Sequence, residues 1–239
     1  YGIKKNFYLN GQLKSEINYK NGKLEGMYKS YYDNGQLESE GFYQDSLKNG
    51  LWKSYDFNGQ VKTEKNYTNN KIDGLQKDYY PDGKLKKEEA YLNEMLNGVW
   101  RNYYQNGQME SSGCYLDNGQ DGVWKTYFPN SSLKSEGSYR NLKEEGLWKR
   151  YYDSGQLESE GNYKDGKQDG AWKTYYSNGK LKGDVAYKYG ALNGVYKYYY
   201  NGGQLESEGY YINAKQDGAW KFYYEDGRLR REEFYKEGE

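Results

Sequence analysis

Lysines and carboxylates are the side chains of this 239-residue chain that could perform acid–base or metal chemistry. The chain has 35 Lys and Arg, 35 Asp and Glu, and no histidine, which is the commonest general base and metal ligand. A catalytic acid–base pair should occur once, whereas nearly every carboxylate here recurs at a fixed spacing with a lysine partner. We therefore expect no enzymatic activity, no catalytic residue, no metal site and no cofactor.

Sequence motifs of enzymes and metal sites point the same way. No nucleophile-elbow motif, Walker loop or dinucleotide-binding glycine motif occurs in the chain. The segment 117–122 resembles a calcium loop but lacks the later bidentate glutamate, so we interpret it as a turn. Cys114 is the only cysteine, which excludes an internal disulfide, and we interpret it as an ordinary exposed or half-buried thiol.

The elements that must position these side chains follow a strict repeat of 24 residues. Two columns show the period without insertion or deletion: Tyr19, Tyr43, Tyr67, Tyr91, Tyr115, Tyr139, Tyr163, Tyr187, Tyr211 and Tyr235, and Gly2, Gly26, Gly50, Gly74, Gly98, Gly122, Gly146, Gly170, Gly194 and Gly218. Such a period indicates one structural unit stacked on copies of itself. Because no break interrupts it, we expect a single repeat domain over residues 1–239.

Aromatic residues must supply most of the buried surface. The chain has 33 Tyr, 6 Trp and 6 Phe, while hydrophobic residues as a whole make up only 35%. The mean hydropathy of −1.31 is that of a disordered chain, but disordered chains are poor in aromatics and this one is 19% aromatic. We therefore expect a folded protein.

Each repeat has the pattern of a β-hairpin. Two alternating runs flank an Asn-Gly or Asp-Gly pair, which favours a two-residue type I′ turn. Counted outward from Asn34-Gly35, that turn pairs Tyr32 with Leu37 and Tyr31 with Glu38. The same register predicts lysine–carboxylate pairs across the hairpins, namely Lys5–Glu16, Lys29–Glu40, Lys53–Glu64, Lys77–Glu88, Lys125–Glu136, Lys149–Glu160, Lys173–Asp184, Lys197–Glu208 and Lys221–Glu232. Opposite charges facing each other support this register.

The alternation also predicts two chemically different faces. One face has the Trp position, for which we expect each ring to pack over the glycine opposite it, as in Trp148 over Gly161. The other face has Lys, Glu and the first Tyr of each Tyr-Tyr pair. The link from Tyr163 to Gly170 is interpreted as a second, longer hairpin loop. The predicted fold is all-β, an elongated single-sheet solenoid of about ten antiparallel β-hairpins.

The repeat resembles a known family. The string Gly-x-Trp-Lys-x-Tyr-Tyr-x-Asn-Gly-x-Leu-x-x-Glu-Gly-x-Tyr-x-x-Gly-Lys-x-Asp-Gly is similar to the second variant of the MORN repeat, found in bacterial proteins such as the YwqK-like group named as antitoxins. The resemblance covers the whole chain and implies a hairpin solenoid without catalytic residues that binds a partner. Aromatic choline- or glucan-binding repeats are a rival resemblance, but their period is shorter.

We weighed several functions against these patterns. The favoured hypothesis is a scaffold that binds a protein partner, with toxin neutralisation as a special case. The expected contact residues are the outer tyrosines Tyr79, Tyr103, Tyr127, Tyr151, Tyr175 and Tyr199. The alternative is a cell-surface protein that binds a glycan or a host molecule by aromatic stacking. The net charge of zero argues against nucleic acid and makes contact with membrane lipid unexpected.

The compartment is less determined by the sequence. No apolar run is long enough to cross a membrane as a helix. The chain starts at Tyr1 inside a repeat and not at Met, from which we expect a bacterial protein of the cell envelope or secreted medium slightly more than a cytoplasmic one.

Overall fold

The computed structural model describes residues 1–236 and 238, and these residues form β-strands joined by turns, without a helix. Paired strands are antiparallel neighbours in the chain, which confirms the predicted all-β class and the ten hairpins of 24-residue period. The chain divides into two compact units, Tyr1–Gly119 and Gln120–Glu239. The single domain over residues 1–239 stays a prediction.

Each unit is a meander in which consecutive strands pair. The first unit has β1 (Gly2–Phe7), β2 (Leu13–Lys20), β3 (Lys23–Tyr31), β4 (Leu37–Gln44), β5 (Leu47–Tyr55), β6 (Val61–Thr68), β7 (Lys71–Tyr79), β8 (Leu85–Leu92), β9 (Met95–Tyr103) and β10 (Met109–Leu116). The second unit has β11 (Gly119–Tyr127), β12 (Leu133–Arg140), β13 (Lys143–Tyr151), β14 (Leu157–Lys164), β15 (Lys167–Tyr175), β16 (Leu181–Lys188), β17 (Ala191–Tyr199), β18 (Leu205–Ile212), β19 (Lys215–Tyr223) and β20 (Leu229–Tyr235).

The assignment of turn types from the sequence was wrong, because the two kinds of loop are exchanged. At the Asn-Gly position the loop has three residues: Tyr32 N–H donates to Gln36 O at 2.8 Å, and Gly35 N–H donates to Tyr32 O at 2.9 Å. Gly35 has φ +86°, while Asn34 is not among the residues with positive φ, so this is a type I turn followed by a left-handed glycine.

The two-residue type I′ turn occurs instead in the link between hairpins, which was predicted to be the longer loop. Gln44 pairs with Leu47, and both residues between them have positive φ, 49° at Asp45 and 68° at Ser46. Nonglycine residues accept this conformation at considerable strain, as at Leu142 with φ 66°. Seven of the links also bond to the start of the strand that follows the preceding link: the N–H of Ser46, for example, donates to the carbonyl of Leu24 at 2.9 Å.

The register is confirmed in the body of each hairpin and wrong next to its turn. Tyr28 pairs with Gly41 and Lys29 with Glu40, as predicted. Tyr31, however, pairs with Leu37, because the register shifts by one residue after Ser30 and leaves Glu38 as a bulge. The predicted pairs Tyr31–Glu38 and Tyr32–Leu37 therefore do not form.

The buried hydrophobic residues are tryptophans, which lie on one face of the strands within each unit. The rings of Trp52, Trp124, Trp148, Trp172 and Trp220 are 2 to 8% exposed. No described side chain is less than 2% exposed. Aromatic rings therefore supply the core, as the composition predicts, and most other side chains remain half-buried.

Candidate functional site

The face that holds the tryptophans is here called the tryptophan face, and in the second unit its rings form a continuous row from Trp124 to Tyr187. In the second unit, Tyr163 lies edge-on between two indole rings, with its ring centroid 6.0 Å from that of Trp148 and 5.1 Å from that of Trp172. The interplanar angles are 78° and 86°. Edge-to-face pairs of this kind add stabilisation beyond the buried area. The row is thus primarily structural.

Four of the tryptophans pack over the glycine of the preceding hairpin, so the prediction that Trp148 covers Gly161 was wrong. Trp148 and Gly161 are cross-strand partners, as predicted. The Trp148 ring nevertheless lies over Gly137, and Gly161 is covered by Trp172. The same relation joins Trp52 to Gly41 and Trp220 to Gly209.

The indole N–H groups on this face are satisfied by the main chain. Trp172 Nε1 donates to the carbonyl of Asn162 at 3.0 Å, and Trp148 Nε1 donates to that of Ser138 at 3.2 Å. Gln76 replaces Trp in its repeat and copies this bond, since its Nε2 donates to the carbonyl of Asn66 at 3.2 Å. These polar groups are therefore occupied by the protein itself.

The opposite face, here called the lysine face, has the predicted lysine–carboxylate columns. All nine predicted pairs are in register, and eight form ion contacts of 2.9 to 4.0 Å: Lys5–Glu16, Lys29–Glu40, Lys53–Glu64, Lys77–Glu88, Lys125–Glu136, Lys149–Glu160, Lys197–Glu208 and Lys221–Glu232. Lys173 and Asp184 are paired in register without an ion contact. Arg101, whose hairpin partner is Ser112, bonds to Glu88 of the preceding hairpin.

The six tyrosines predicted as contact residues lie on this lysine face and are half-buried. Three of them donate their hydroxyls to carboxylates of the preceding hairpin, among them Tyr151 to Glu136 at 3.0 Å and Tyr175 to Glu160 at 3.1 Å. Tyr79 likewise donates to Glu64 at 3.0 Å. Burial, followed by the hydrogen bond to glutamate, raises the pKa of Tyr79 and Tyr151 to about 12.

The remaining three tyrosines of that set have other surroundings. The carbonyl of Tyr103 accepts the hydroxyl of Tyr80 at 2.7 Å, and the carbonyl of Tyr199 accepts that of Tyr176 at 2.6 Å. Tyr127 is half-buried and pairs with Leu133. The six form one column by position, but a role of this column in binding stays a prediction.

A column of exposed aliphatic residues on the lysine face escaped the sequence reasoning. Val123, Leu147 and Val195 in the second unit are 58%, 51% and 49% exposed, and Ile3 and Met27 in the first unit are 61% and 47% exposed. The sequence signal was available, since the residue after each glycine of the 24-residue period is apolar in all ten repeats: Ile3, Met27, Leu51, Leu75, Val99, Val123, Leu147, Ala171, Val195 and Ala219. In a sheet, residues separated by two positions share a face, so this column lies beside the lysines.

The described residues hold no group of three or more His, Cys, Asp or Glu side chains placed to bind a metal ion. In the part of the chain that the structure describes, no helix is long and apolar enough to cross a membrane. Each face instead repeats the same contacts from hairpin to hairpin. The tryptophan face has aromatic rings, and the lysine face has ion pairs, tyrosine hydroxyls and aliphatic side chains.

Comparison with known proteins finds a family model described as a MORN repeat variant. It matches ten consecutive segments, residues 1–21, 24–45, 48–69, 72–93, 96–117, 120–141, 144–165, 168–189, 192–213 and 216–237. No curated protein matches the chain.

Solved structures with some likeness include the crystal structure of TcdB2-TccC3-Cdc42, at 14% identity and a TM-score of 0.24, over 92% of this chain and 13% of that one. A second is the Photorhabdus luminescens Tc holotoxin pore, at 12% identity and a TM-score of 0.22, over 98% of this chain and 16% of that one. The chain thus spans less than a fifth of the length of either.

Proposed function

Because the chain belongs to the MORN repeat variant family over ten consecutive repeats, we propose that it is a non-enzymatic scaffold that binds a protein partner on its lysine face. The observation that supports this proposal is the column of exposed aliphatic residues. These aliphatic side chains recur once per hairpin and are here called the aliphatic strip; in the second unit the polar cross-strand partners Ser138 and Asn162 alternate with Val123 and Leu147. Exposed apolar side chains grouped on one surface mark contact sites.

The surroundings of the strip resemble the anatomy of a protein interface. An apolar centre flanked by tyrosines and by a polar rim is typical of protein–protein contacts. Here the lysine–glutamate pairs lie between the aliphatic residue and the tyrosine of each strand, as Lys149 lies between Leu147 and Tyr151, so apolar and charged contacts alternate on this face. Tyr151 and Tyr175 donate their hydroxyls to glutamates, so these rings present a rigid surface at low entropic cost on binding.

Because neighbouring hairpins repeat the strip about every 10 Å, a partner would gain its affinity from several weak contacts rather than from one pocket. Toxin neutralisation is the narrower form of this proposal, in which the partner is a toxin that the scaffold covers.

Two triple variants in the second unit test the proposal. Val123→Ser with Leu147→Ser and Val195→Ser removes the aliphatic strip, and Tyr127→Ser with Tyr151→Ser and Tyr175→Ser removes the tyrosine column. The matched control is Leu142→Ser with Ile212→Ser, which removes apolar side chains that are 64% and 45% exposed at the links. Partners are captured from an extract of the native organism and then titrated with each variant, after circular dichroism has verified the fold.

We expect the aliphatic triple variant to bind the recovered partner at least about tenfold more weakly, about 1.4 kcal/mol, with the control unchanged. Equal loss in the control and the strip variant would assign the effect to general hydrophobicity and contradict the proposal. If the tyrosine variant alone loses binding, the contact lies on the tyrosine column. Strong hits on a glycan array with no protein captured would replace the proposal by the glycan-binding alternative.

A further inference from the structure

The tryptophan face of the first unit has two lysines, Lys48 and Lys65, and no other repeat has a lysine at either position. Lys48 stands where other repeats have Leu24, Ile72, Leu96, Gln120, Glu144, Gln168, Leu192 and Gln216. Lys65 stands where other repeats have Ile17, Gly41, Glu89, Gly113, Gly137, Gly161, Val185, Gly209 and Glu233. A feature that occurs once in an array of copies is not required by the array, and therefore invites a specific explanation.

The two lysines line one cavity of about 290 Å³, which opens to solvent. Trp52 and Tyr67 contribute rings to its wall, and Ser39 and Thr63 are among its hydroxyl-bearing residues. The ammonium of Lys48 lies 4.3 Å from the centroid of the Trp52 ring and 5.2 Å from that of Tyr67. No acidic residue lines the cavity.

The positive charge of this cavity is uncompensated. The central lysine of nearly every hairpin pairs with a carboxylate, as Lys53 does with Glu64, but among the described residues neither the Lys48 nor the Lys65 ammonium has an ion-pair partner. Burial, and after it the charge of Lys65, lowers the pKa of Lys48. Two like charges held near each other in a partly buried site are relieved by a bound anion.

The next residues along the row, Gln76 and Glu89, lie outside the lining of this cavity. Gln76, the cross-strand partner of Lys65, is 5% exposed, and its Oε1 is buried without a hydrogen-bond partner. Such an orphan acceptor is costly unless a donor reaches it. Glu89, one strand further, is occupied, because it pairs with Lys87 at 3.1 Å and accepts the hydroxyl of Tyr91 at 3.2 Å. It is therefore already engaged away from Lys65.

We propose that the cavity at Lys48 and Lys65 binds a small hydroxylated anion, such as a sugar acid or a sugar phosphate. The two ammonium groups would hold the carboxylate or phosphate, and the surrounding hydroxyls would bond to the hydroxyls of the ligand. Its volume admits a ligand of about monosaccharide size, which separates it from the extended partner surface on the opposite face.

Nuclear magnetic resonance of the tryptophan indole N–H groups tests this site directly. The chain has six tryptophans, and only the Trp52 ring lies under the Lys48 ammonium, so the other five signals are internal controls. The full chain is titrated with glucuronate, glucose 6-phosphate, inorganic phosphate and uncharged glucose. The Trp52 signal is assigned with Trp52→Phe.

We expect glucuronate or glucose 6-phosphate to move the Trp52 signal and leave the others in place, with phosphate weaker and glucose without effect. Whether the carboxylate or the phosphate probe binds more tightly identifies the anionic group. Lys48→Leu and Lys65→Val install residues that other repeats carry, and each should weaken binding at least about tenfold. Lys71→Met, which removes an exposed lysine of the same unit and copies Met95, should leave binding unchanged.

The proposal is overturned if all six signals stay in place in every titration, or if Lys71→Met weakens binding as much as Lys48→Leu. These variants leave the aliphatic strip intact, so failure here does not bear on partner binding by the lysine face.

Discussion

Gly161 is a position where aromatic packing leaves no room for a side chain. A Cβ atom built there would lie within 2.5 Å of the Cγ, Cδ2 and Cε2 atoms of Trp172, which is only 5% exposed. The φ angle of Gly161 is outside the left-handed region, so a substitution meets a packing penalty and no backbone strain. Gly161→Val therefore measures the cost of displacing one ring of the row.

The magnitude follows from what the Trp172 ring would lose. Displacing it to re-expose on the order of 100 Å² of apolar surface costs about 2.5 kcal/mol. Its edge-on contacts with Tyr163 and Tyr187, and its bond to the carbonyl of Asn162, would weaken as well. Partial relaxation offsets some of this, and we expect Gly161→Val to lower the free energy of unfolding by about 2–3 kcal/mol.

The chain itself contains the compensating pair. One repeat later the same two positions hold Val185 and Tyr196, paired across β16 and β17. Combining Gly161→Val with Trp172→Tyr reproduces that arrangement, so the double variant should recover most of the loss. The interaction energy in the double-mutant cycle should be about 2 kcal/mol in favour of the pair.

Urea unfolding followed by circular dichroism measures the four members of the cycle. Lys149→Ala is the control, since its ion pair with Glu160 is long, at 3.8 Å, and only half-buried, and should contribute under about 1 kcal/mol. Simple additivity of the two substitutions would refute the assignment of Trp172 to Gly161. A loss for Gly161→Val no larger than that for Lys149→Ala would refute the assignment of the buried face.

Three further predictions concern turns and the tyrosine column. Gly179→Ala, at φ +82° in open space, should lower the free energy of unfolding by about 1 kcal/mol through strain alone, measured by urea unfolding. Leu142→Gly relieves the backbone strain at φ 66° and should raise the free energy of unfolding by about 0.5–1 kcal/mol in the same assay. A lower free energy of unfolding would contradict the assigned type I′ turn. Tyr151→Phe removes the bond to Glu136 and should lose about 1 kcal/mol at neutral pH. The pKa of Tyr151 in the folded protein is raised from 10.0 to about 12, so the extra stability of the wild type over Tyr151→Phe is complete below pH 10 and declines towards pH 12. The same difference in stability at pH 8 and at pH 12 would contradict this prediction.

The body of the hairpin could be predicted from sequence because charge pairs report register. Lys29–Glu40 and its copies fix which residues face each other, whatever the turn. The turn itself could not be derived, because a two-residue loop gives the same pairing as a three-residue loop followed by a one-residue bulge. Glu38, the bulged residue, is exposed and polar, so its type does not distinguish the two arrangements.

The sequence analysis assigned the wrong glycine to the Trp148 ring for a related reason. In an array, a tryptophan has a glycine partner on each side, and pairing alone does not say which one its ring covers. A comparison between repeats resolves this: the residue eleven positions before a buried tryptophan is glycine, as at Gly41, Gly137 and Gly161. Where the later aromatic is Tyr196, the earlier residue is Val185. The offset to the preceding hairpin was therefore present in the sequence.

The two faces differ in how well their use can be inferred from sequence. Rings of the tryptophan face are needed for burial, so their number follows from composition. The aliphatic strip contributes little burial, and a residue such as Val123 looks like a minor core position until its 58% exposure is known. Lys48 and Lys65 are seventeen residues apart in the sequence, and only the pairing of β5 with β6 brings them to one cavity.

The hydrogen bonds of the second tyrosine in each Tyr-Tyr pair affect how the gene of a repeat protein can change its length. Tyr32 donates to the carbonyl of Tyr55, and Tyr176 to that of Tyr199, so each bond reaches one repeat ahead by the same number of residues. Unequal recombination that adds or deletes a whole repeat gives every hydroxyl an equivalent acceptor. An insertion of any other length shifts a donor away from its carbonyl. Selection on these bonds would thus favour arrays that grow and shrink in whole repeats, which accounts for a period kept through ten copies without a single misplaced residue.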